Sequence, residues 1–371
     1  MWTSTESAIV LFVTSVFVWT TASIKTSTLL HDVNGRKSVS GAISNLEKIA
    51  IVRALPGLGD FLCAIPALRA LRVAFPQAKV TFIGLPNSQG LVTRFEQYID
   101  EFVVLPGYPG LPEQPANLEA LPEFFAQLRS RYFDLAIQMH GSGIVTNPLT
   151  LELGATRTIG FFQTGQPCSD PDSFLPFIET EHEILRYLRL LEFVGIPASD
   201  AAMEFPIEIR DRQEFQALSQ LHGLQRYVCI HAGASVPSRC WSSDQFAEIG
   251  DHLSQQGWQI VLTGTCAERG LTESIARLIK APTINLAGRT SLGTLAALLE
   301  GCKLLVCNDT GISHVAAALK VPSVVIFSGS DPQRWSPLDK QRHRSIVPPA
   351  SVSDVLEQIE SVLQQESLYV A

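Results

Sequence analysis

A stretch at 56–60 with the sequence PGLGD carries a carboxylate between an apolar run and a segment with helical spacing. Gly57 and Gly59 allow positive φ angles and a close approach by a ligand. Asp60 comes directly before the predicted helix at 61–75, where a carboxylate serves either as a catalytic base or as a helix N-cap. The short motif by itself favours the cap. It is not the G-x-G-x-x-G fingerprint of dinucleotide sites, because Leu62 occupies the position of the third glycine.

A second candidate stretch, NDTGISH at 308–314, also joins a buried apolar run to a predicted helix. Free backbone amides at the start of that helix, flanked by Gly311, would form an anion site. His314, one turn further on, would face the same anion, and Asp309 would accept a hydrogen bond from a sugar hydroxyl. Two alternatives stay open: Asp309 or Thr310 as an N-cap, and His314 as a histidine of the core.

Two further loops carry groups that suit a phosphate and ribose hydroxyls. Small residues at 231–235, ending in Ser235, let backbone amides approach a phosphate, and Arg239 offers a forked donor for its oxygens. Glu268 lies about one turn beyond a predicted strand, where its carboxylate would hold ribose hydroxyls. The alternatives are a solvated surface charge for Arg239 and stabilisation of a helix dipole for Glu268.

Asp170 and Asp172 have the spacing of a metal-binding D-x-D pair. They fall in a proline-rich stretch with no strand before it, so they have little weight as a metal site. The sequence contains no H-E-x-x-H, P-loop or G-x-S-x-G motif. We therefore predict neither a metal site nor a cofactor.

Short apolar runs alternate with helical patterns along most of the chain, which predicts an α/β fold with parallel, doubly wound sheets. Ligand sites in such sheets lie outside the carboxyl ends of the strands. The proline-rich stretches at 106–122 and 167–176 are predicted to be loops. A final helix at 352–364 is expected to pack back across the domain junction.

A chain of 371 residues, of which 46% are hydrophobic, is long enough for two domains with a core each. The pattern divides it into an apolar leader and linker at 1–45 and two Rossmann-like domains at 46–205 and 206–347. A C-terminal helix and tail follow at 348–371.

Charge and cysteine usage exclude several classes of protein. The formal net charge of −8 gives no reason to expect nucleic acid, because a nucleic-acid binder usually shows a basic face. The seven cysteines form no C-x-x-C pair, and several lie in apolar runs. We expect reduced, mostly buried thiols in a cytosolic compartment, and neither a zinc site nor a disulfide framework.

Residues 8–24 form an uncharged apolar run that is slightly short for a bilayer core of about 30 Å. Glu6 precedes the run, and Lys25, Arg36 and Lys37 follow it, an arrangement that would keep the following domain cytoplasmic. The alternative is a disordered or misassigned leader ahead of the first strand. A peripheral or N-terminal contact with the inner membrane therefore stays open.

In their order and spacing, the four candidate loops together resemble glycosyltransferase family 9, which contains the ADP-heptose:lipopolysaccharide heptosyltransferases. The resemblance covers residues 46–344. Its most specific part is NDTGISHVAAA at 308–318, which looks like the family's D-[ST]-G-x-x-H-x-x-A signature. The run VRALPGLGDFLCAIPALRALRVAFP at 52–76 is similar to its G-D loop and P-A-[LI]-x-x-L helix. The stretch HAGAS…RCWSSDQFAEI at 231–249 is similar to its H-x-x-[ST]…K-x-W segment.

The resemblance implies a GT-B architecture, in which two Rossmann-like domains face each other across a cleft, and a transfer that inverts the anomeric centre without a metal. It makes 46–205 the acceptor-binding domain and 206–347 the nucleotide-sugar-binding domain. It also makes Asp60 the base that activates the acceptor hydroxyl. The implied donor-binding residues are Ser235, Arg239, Glu268, Asp309, Thr310, Gly311 and His314.

The implied donor is ADP-heptose or another ADP-, UDP- or GDP-sugar, and the implied acceptor is an anionic lipopolysaccharide core or related glycolipid at the cytoplasmic face of the inner membrane. Arg239 stands where the heptosyltransferases usually have Lys, so the donor sugar stays open. Arg53, Arg69 and Arg72 near the acceptor side would suit an anionic acceptor, although the last two also fit solvated helix charges. Two other functions remain: a GT-B-like nucleotide-sugar epimerase and a catalytically silent sugar-nucleotide binding protein.

Overall fold

A computed structural model describes residues 45–168, 170–234, 236 and 240–370. It contains two six-stranded sheets, and neighbouring strands in both run parallel. Almost all of the leader predicted at 1–45 lies outside the described residues. No helix in the described ranges is long and apolar enough to cross a bilayer.

The first sheet has the strand order β3-β2-β1-β4-β5-β6. Its strands are β1 (Lys48–Val52), β2 (Lys79–Gly84), β3 (Glu101–Val104), β4 (Leu135–Gln138), β5 (Arg157–Gln163) and β6 (Phe174–Phe177). The central strand β1 reads as a continuous apolar run because both of its faces are covered: Ile49 and Ile51 pack into one core, and Ala50 and Val52 into another.

The second sheet repeats this topology, with the order β12-β11-β10-β7-β8-β9. Its strands are β7 (Tyr227–His231), β8 (Gln259–Leu262), β9 (Thr283–Asn285), β10 (Leu305–Asn308), β11 (Ser323–Ile326) and β12 (His343–Ile346). In each sheet the first strand is central, the next two extend it on one side and the last three on the other. This is the doubly wound Rossmann order, as predicted. The strand order reverses between β1 and β4 in the first sheet and between β7 and β10 in the second, and ligand sites of such sheets lie at the carboxyl ends of these strands.

Twelve helices connect the strands of the described chain. In the first half they are α1 (Leu58–Ala74), α2 (Gln89–Arg94), α3 (Leu121–Arg129), α4 (Thr146–Leu151) and α5 (Glu183–Phe193). In the second half they are α6 (Ile209–His222), α7 (Ser243–Gln255), α8 (Arg269–Leu278), α9 (Leu292–Glu300), α10 (Gly311–Ala318), α11 (Pro332–Trp335) and α12 (Val352–Val370). The predicted boundary at 205–206 falls between α5 and α6, and it stays a prediction.

One apolar core joins the two halves. Ile65 of α1 and Leu191 of α5 belong to the same buried cluster as Val315 of α10 and Cys307 of β10. Helix α1 packs directly against α10, so the starts of these two helices are held close together. The core therefore fixes the geometry of the junction at which the candidate loops meet.

Two expectations about the fold need correction. The buried residues of helix α12 pack on the second half. Val355, Ile359 and Val362 join the cluster beneath β11 and α7. The stretch 167–176 is not wholly a loop, since its last residues begin β6. Pro176 is tolerated there because β6 is the edge strand of its sheet.

The cysteines carry free thiols, as predicted, and four of them are buried. Arg69 and Arg72, by contrast, are not solvated helix charges. Arg69 pairs with Glu204 at 3.0 Å, and Arg72 pairs with Asp100 at 2.6 Å. Both side chains therefore tie α1 to neighbouring segments of the chain.

Candidate active site

A cavity of about 550 Å³ lies where the carboxyl ends of β1 and β10 face each other. Its lining includes seven of the residues singled out in the sequence: Gly57, Gly59, Asp60, Asp309, Thr310, Gly311 and His314. The remaining lining residues are Pro56, Leu58, His231, Thr265, Leu292, Leu295, Ile312 and Trp335. The structure thus brings two motifs that are about 250 residues apart in the sequence into one site.

Asp60 lies in the first turn of α1, which begins three residues earlier than predicted. Gly57 is the N-cap and no side chain caps the helix, so the alternative of Asp60 as the N-cap is wrong. The Asp60 side chain is 26% exposed. Burial raises the pKa of Asp60 above its ordinary value, and the positive charge of Arg53 opposes this rise. A partly shielded carboxylate with a raised pKa is well suited to accept a proton.

The glycines of the two motifs provide space, not unusual backbone angles. Gly57, Gly59 and Gly311 all lie outside the positive φ region, so that expectation is wrong. A Cβ on Gly59 would lie 2.5 Å from Cδ2 of His314, and a Cβ on Gly311 would lie 2.8 Å from Cβ of Leu58. Both contacts run between the two halves of the chain. Gly59 and Gly311 therefore do permit a close approach, but the group that approaches is the opposite half of the protein and not a ligand.

Arg53 is buried, with only 1% of its surface exposed, so it does not face an acceptor as predicted. Its Nη1 donates a hydrogen bond to the Met139 carbonyl at 2.5 Å and lies 2.5 Å from the Tyr187 hydroxyl. Its Nη2 donates to the main-chain carbonyl of Asp60 and lies 3.9 Å from Oδ1 of the same residue. Arg53 therefore holds the first turn of α1 from behind the cavity.

The junction between β10 and α10 presents backbone amides to the cavity. Thr310 occupies the N-cap position of α10, so Asp309 is not the N-cap, and the Thr310 side chain makes no capping hydrogen bond. The Ser313 amide bonds to the Thr310 carbonyl at 2.9 Å, whereas the amides of Gly311 and Ile312, which line the cavity, come too early in the helix for an intrahelical partner. Asp309 is 8% exposed, and its Oδ2 accepts a hydrogen bond from the hydroxyl of Ser330. An uncapped helix start of this kind attracts an anion.

His314 is both a buried histidine and a cavity residue, so the two alternatives given for it are compatible. It is 4% exposed, its Nδ1 lies 3.7 Å from Sγ of Cys63, and its ring packs edge-on against Trp335. Burial lowers the pKa of His314 to about 4. The imidazole is therefore neutral near pH 7 and can offer a hydrogen bond to a ligand without a change of charge.

Glu268 stabilises the loop after β8. Its Oε2 accepts hydrogen bonds from the amide and hydroxyl of Thr265, at 2.7 and 2.9 Å, which closes a capping box at a short 3-10 turn. A Cβ on Gly233 would lie 1.9 Å from Oε1 of Glu268, so a larger residue there would displace the end of the Glu268 side chain. This position at a helix start matches the alternative given for Glu268, namely stabilisation of a helix dipole. Contact with a ribose stays a prediction, because Thr265 lines the cavity but Glu268 does not.

Asn308 is a site residue whose role the sequence did not reveal. It is fully buried, and its Oδ1 accepts a hydrogen bond from the Trp241 amide at 2.9 Å. Its Nδ2 donates to the Ala232 carbonyl at 2.7 Å. The side chain therefore ties both ends of the loop at 232–241 to the end of β10. An amide at the end of a buried strand was the available signal, since a buried amide needs partners.

Ser235 and Arg239 lie outside the described residues, so their predicted contacts with a diphosphate stay predictions. Asp170 and Asp172 form a local turn, in which Oδ1 of Asp170 accepts the amide of Asp172 at 3.1 Å. In the part of the chain that the structure describes, no three His, Cys, Asp or Glu residues are grouped so that they could hold a metal ion.

Comparisons with known proteins identify the family. The profile described as "Glycosyltransferase family 9 (heptosyltransferase)" matches residues 122–355. Lipopolysaccharide heptosyltransferase 3 of Escherichia coli K12 is 27% identical over 289 residues, which cover 75% of this chain and 82% of that protein. Lipopolysaccharide core heptosyltransferase OpsX of Haemophilus influenzae is 22% identical over 302 residues, which cover 78% of this chain and 82% of that protein.

Solved structures show the same architecture. A glycosyl transferase family 9 protein from Veillonella parvula superimposes with a TM-score of 0.72 at 20% identity, over 86% of this chain and 97% of that chain. The E. coli ADP-heptose lps heptosyltransferase II superimposes with a TM-score of 0.67 at 20% identity, over 87% of this chain and 100% of that chain. Because the family profile covers more than half of the sequence, this chain belongs to glycosyltransferase family 9 and is a glycosyltransferase with the GT-B fold.

Proposed function

We propose that this enzyme is an inverting, metal-independent glycosyltransferase, which moves a heptose-type sugar from a nucleotide diphosphate sugar to a lipopolysaccharide-core or related glycolipid acceptor. The observation that carries the proposal is the pairing across the cavity: Asp60 of the first half and the uncapped start of α10 of the second half line the same space. Displacement at an anomeric carbon needs a base on one side and stabilisation of the leaving anion on the other.

In the proposed reaction, the acceptor hydroxyl gives its proton to the Asp60 carboxylate while its oxygen attacks the anomeric carbon. The bond from that carbon to the diphosphate oxygen breaks, and its electron pair leaves with the diphosphate. Attack from the side opposite the leaving group inverts the configuration. The sugar passes through a state with oxocarbenium character, as in glycoside hydrolysis. The raised pKa of Asp60 favours its role as the proton acceptor.

Residues on the second half would stabilise the leaving diphosphate without a metal. The amides of Gly311 and Ile312 offer hydrogen bonds at the positive end of α10. Neutral His314 adds a further hydrogen-bonding group, and Arg239 supplies the positive charge. Asp309, oriented by Ser330, would accept a hydroxyl of the donor sugar, and Glu268 would approach the ribose.

Relatives support the donor and acceptor classes. E. coli heptosyltransferase WaaC, which superimposes with a TM-score of 0.60 at 18% identity, was solved with ADP. The relative that is 27% identical is named a lipopolysaccharide heptosyltransferase. We therefore propose ADP-heptose as the first donor to test. The corresponding acceptor is a glycolipid at the cytoplasmic face of the inner membrane, with the enzyme in the cytoplasm.

A donor screen followed by product analysis tests the proposal. ADP-, UDP- and GDP-sugars are first compared for stabilisation of the purified full-length chain, where a donor well above its Kd should add about 2–3 kcal/mol. The stabilising donor is then incubated with heptose-free lipopolysaccharide core, with and without EDTA. We expect a product with inverted anomeric configuration, formed at the same rate in EDTA. Retained configuration, or loss of transfer in EDTA that added metal restores, would contradict the mechanism.

The base is tested by Asp60→Asn, with Asp170→Asn as the matched control in an exposed loop. Loss of a general base should reduce the transfer rate by about 10²–10⁴-fold and leave donor binding intact. The control should transfer at the wild-type rate, which would also remove the D-x-D pair as a functional element. Wild-type transfer by Asp60→Asn would remove Asp60 as the base.

A further inference from the structure

Glu183 and the arginines around it form a group of charges behind the proposed base. Glu183 belongs to none of the motifs recognised in the sequence. Glu183, at the start of α5, is 1% exposed and contacts three arginines. Its Oε2 accepts hydrogen bonds from Arg186 and, at 3.0 Å, from Nε of Arg334. Its Oε1 accepts the Tyr187 hydroxyl and lies 3.9 Å from Nη2 of Arg53.

Arg334 connects this group to the second half of the chain. It belongs to α11, between β11 and β12, whereas Glu183 and Arg53 belong to the first half. Its guanidinium lies 4.8 Å from the ring of Trp335, which lines the cavity, and its side chain is 25% exposed. The Arg334–Glu183 ion pair therefore bridges the two halves at the edge of the cavity.

We propose that Arg53, Glu183 and Arg334 are positioning residues that orient the Asp60 carboxylate and control its ionisation, and that the set is complete only when the two halves are packed together. The proposal rests on the proposed function of Asp60 as the base. None of the three needs to touch the substrate. They act in sequence, from Arg334 to Glu183, from Glu183 to Arg53, and from Arg53 to the first turn of α1.

The orientation of Asp60 depends on Arg53 because one guanidinium contacts three elements. It binds the Asp60 carbonyl in α1, the Met139 carbonyl just after β4 and the Tyr187 hydroxyl in α5. These contacts leave the first turn of α1 little freedom. Tyr187 is in turn held by Glu183, so loss of Glu183 releases two of the groups that hold Arg53.

The ionisation of Asp60 responds to charges of both signs from both halves. Burial raises its pKa, the positive charges of Arg53 and Arg334 lower it, and the negative charge of Glu183 raises it. Burial alone would raise the pKa of Glu183, but Arg53, Arg186 and Arg334 together lower it. Glu183 therefore stays ionised and keeps its influence on Asp60.

The other titratable and charged groups that face Asp60 or its partners are Cys63 on α1, His140 after β4, His182, Arg186 and Tyr187 at α5, Asp309 after β10 and His314 on α10. Burial raises the pKa of the thiol and of the phenol and lowers the pKa of the three histidines. These five groups are thus neutral near pH 7. The arginines and Glu183 are then the main charges that set the proton affinity of Asp60.

The test compares the acid limb of the pH profile for single-turnover transfer in Arg334→Gln, Arg334→Lys and Glu183→Gln. The base works when deprotonated, so the rate falls as the pH drops through the pKa of Asp60. Arg334→Gln removes a positive charge and should move the acid limb to higher pH. Glu183→Gln removes a negative charge and should move it to lower pH. Shifts of up to about one pH unit are expected from the loss of one such charge.

Two variants separate this effect from a loss of structure. Arg334→Lys keeps the positive charge, so its acid limb should lie close to that of the wild type. If Arg334 had only a packing role, the acid limb of Arg334→Lys would be shifted as far as that of Arg334→Gln. Arg210→Gln, at an exposed arginine of α6 that pairs with Glu208, is the matched control and should not move the limb. Because Arg334 is partly exposed, its two variants decide the question even if Glu183→Gln does not fold.

Failure of this inference is distinguishable from failure of the proposed base. If Asp60→Asn transfers normally, the base assignment is wrong. If Asp60→Asn is inactive but Arg334→Gln leaves the acid limb unchanged, or shifts it to lower pH, the positioning set is wrong and the base assignment stands. Donor Kd should remain at the wild-type value in Arg334→Gln, since the proposal concerns the proton and not the nucleotide.

Discussion

The two strand-to-helix junctions of the cavity are built alike but surrounded differently. Each helix starts without a side-chain cap, and each depends on a glycine where the opposite half comes close. Behind Asp60 lies the buried charge of Arg53, whereas Asp309 contacts the hydroxyl of Ser330 and a neutral imidazole stands one turn along its helix. In the proposed mechanism, the first junction would change its protonation and the second would hold an anion at constant charge.

In the proposed mechanism, this difference separates the role of the base from the role of the donor site. A site that binds a diphosphate tightly gains from fixed donors, whose number does not change during the reaction. A base must take up a proton and release it in each cycle, so its pKa needs opposing influences.

The largest predicted effect at the second junction is on donor affinity. Asp309→Ala removes a carboxylate held by Ser330 on the cavity wall. Loss of a hydrogen bond to a charged group costs about 1.5–3 kcal/mol, so the donor Kd should rise by roughly 10–150-fold. Calorimetric titration with the donor selected in the screen measures this. An unchanged Kd would remove Asp309 from the donor site.

Gly59→Ala is predicted to disturb both junctions at once. Its methyl group would lie 2.5 Å from the buried His314 ring, so the ring or the start of α1 must move. Overpacking of this kind costs about 1–3 kcal/mol, and transfer should fall as well. Urea unfolding gives the free energy of unfolding. Gly90→Ala in α2, where a Cβ meets nothing within 4 Å, is the control; equal stability of the two variants would contradict the close packing.

Asn308→Ala should loosen the loop after β7 and weaken donor binding. It leaves the Trp241 amide and the Ala232 carbonyl without their partner in a buried place. An unsatisfied buried group costs about 1–3 kcal/mol of unfolding free energy. The exposed Asn117, whose Oδ1 accepts the Ala120 amide at 3.2 Å, provides the control as Asn117→Ala. If Asn308→Ala lost no more unfolding free energy than Asn117→Ala, Asn308 would not hold the loop.

The last predicted effect is a pH dependence of stability. The pKa of His314 is about 4 in the folded chain and 6.5 ordinarily. Between these values the unfolded chain binds more protons, so the free energy of unfolding falls as the pH drops from 6.5 to 4. His140 and His343 act in the same direction. His314→Gln should remove up to about 1.4 kcal/mol per pH unit from this slope, as measured by denaturant unfolding at several pH values. An unchanged slope would show that His314 is not held neutral.

The sequence predicted the doubly wound fold and both junctions because these depend on local patterns. Continuous apolar strands, helical spacing and glycines between them are visible without a structure. The start of α1 was missed by three residues, since the segment LGD at 58–60 has no apolar periodicity. The error matters, because it suggested that Asp60 could be a cap.

The burial of Arg53 and the roles of Glu183 and Arg334 could not be predicted from the sequence. Arg53 looks like a surface cation when only its neighbours in the chain are considered. Its partners Asp60, Met139 and Tyr187 lie 7 to 134 positions away, on three different elements. Charges brought together from distant segments leave no spacing signal, so only the packed structure reveals them.

The division of roles between the two junctions is tested most directly by measuring donor Kd and single-turnover transfer rate in both Asp60→Asn and Asp309→Ala. We predict that Asp60→Asn binds donor like the wild type and transfers at least about 10²-fold more slowly. Asp309→Ala should bind donor weakly and recover much of its rate at saturating donor. Parallel losses of affinity and rate in both variants, or wild-type transfer by Asp60→Asn, would contradict this division of roles.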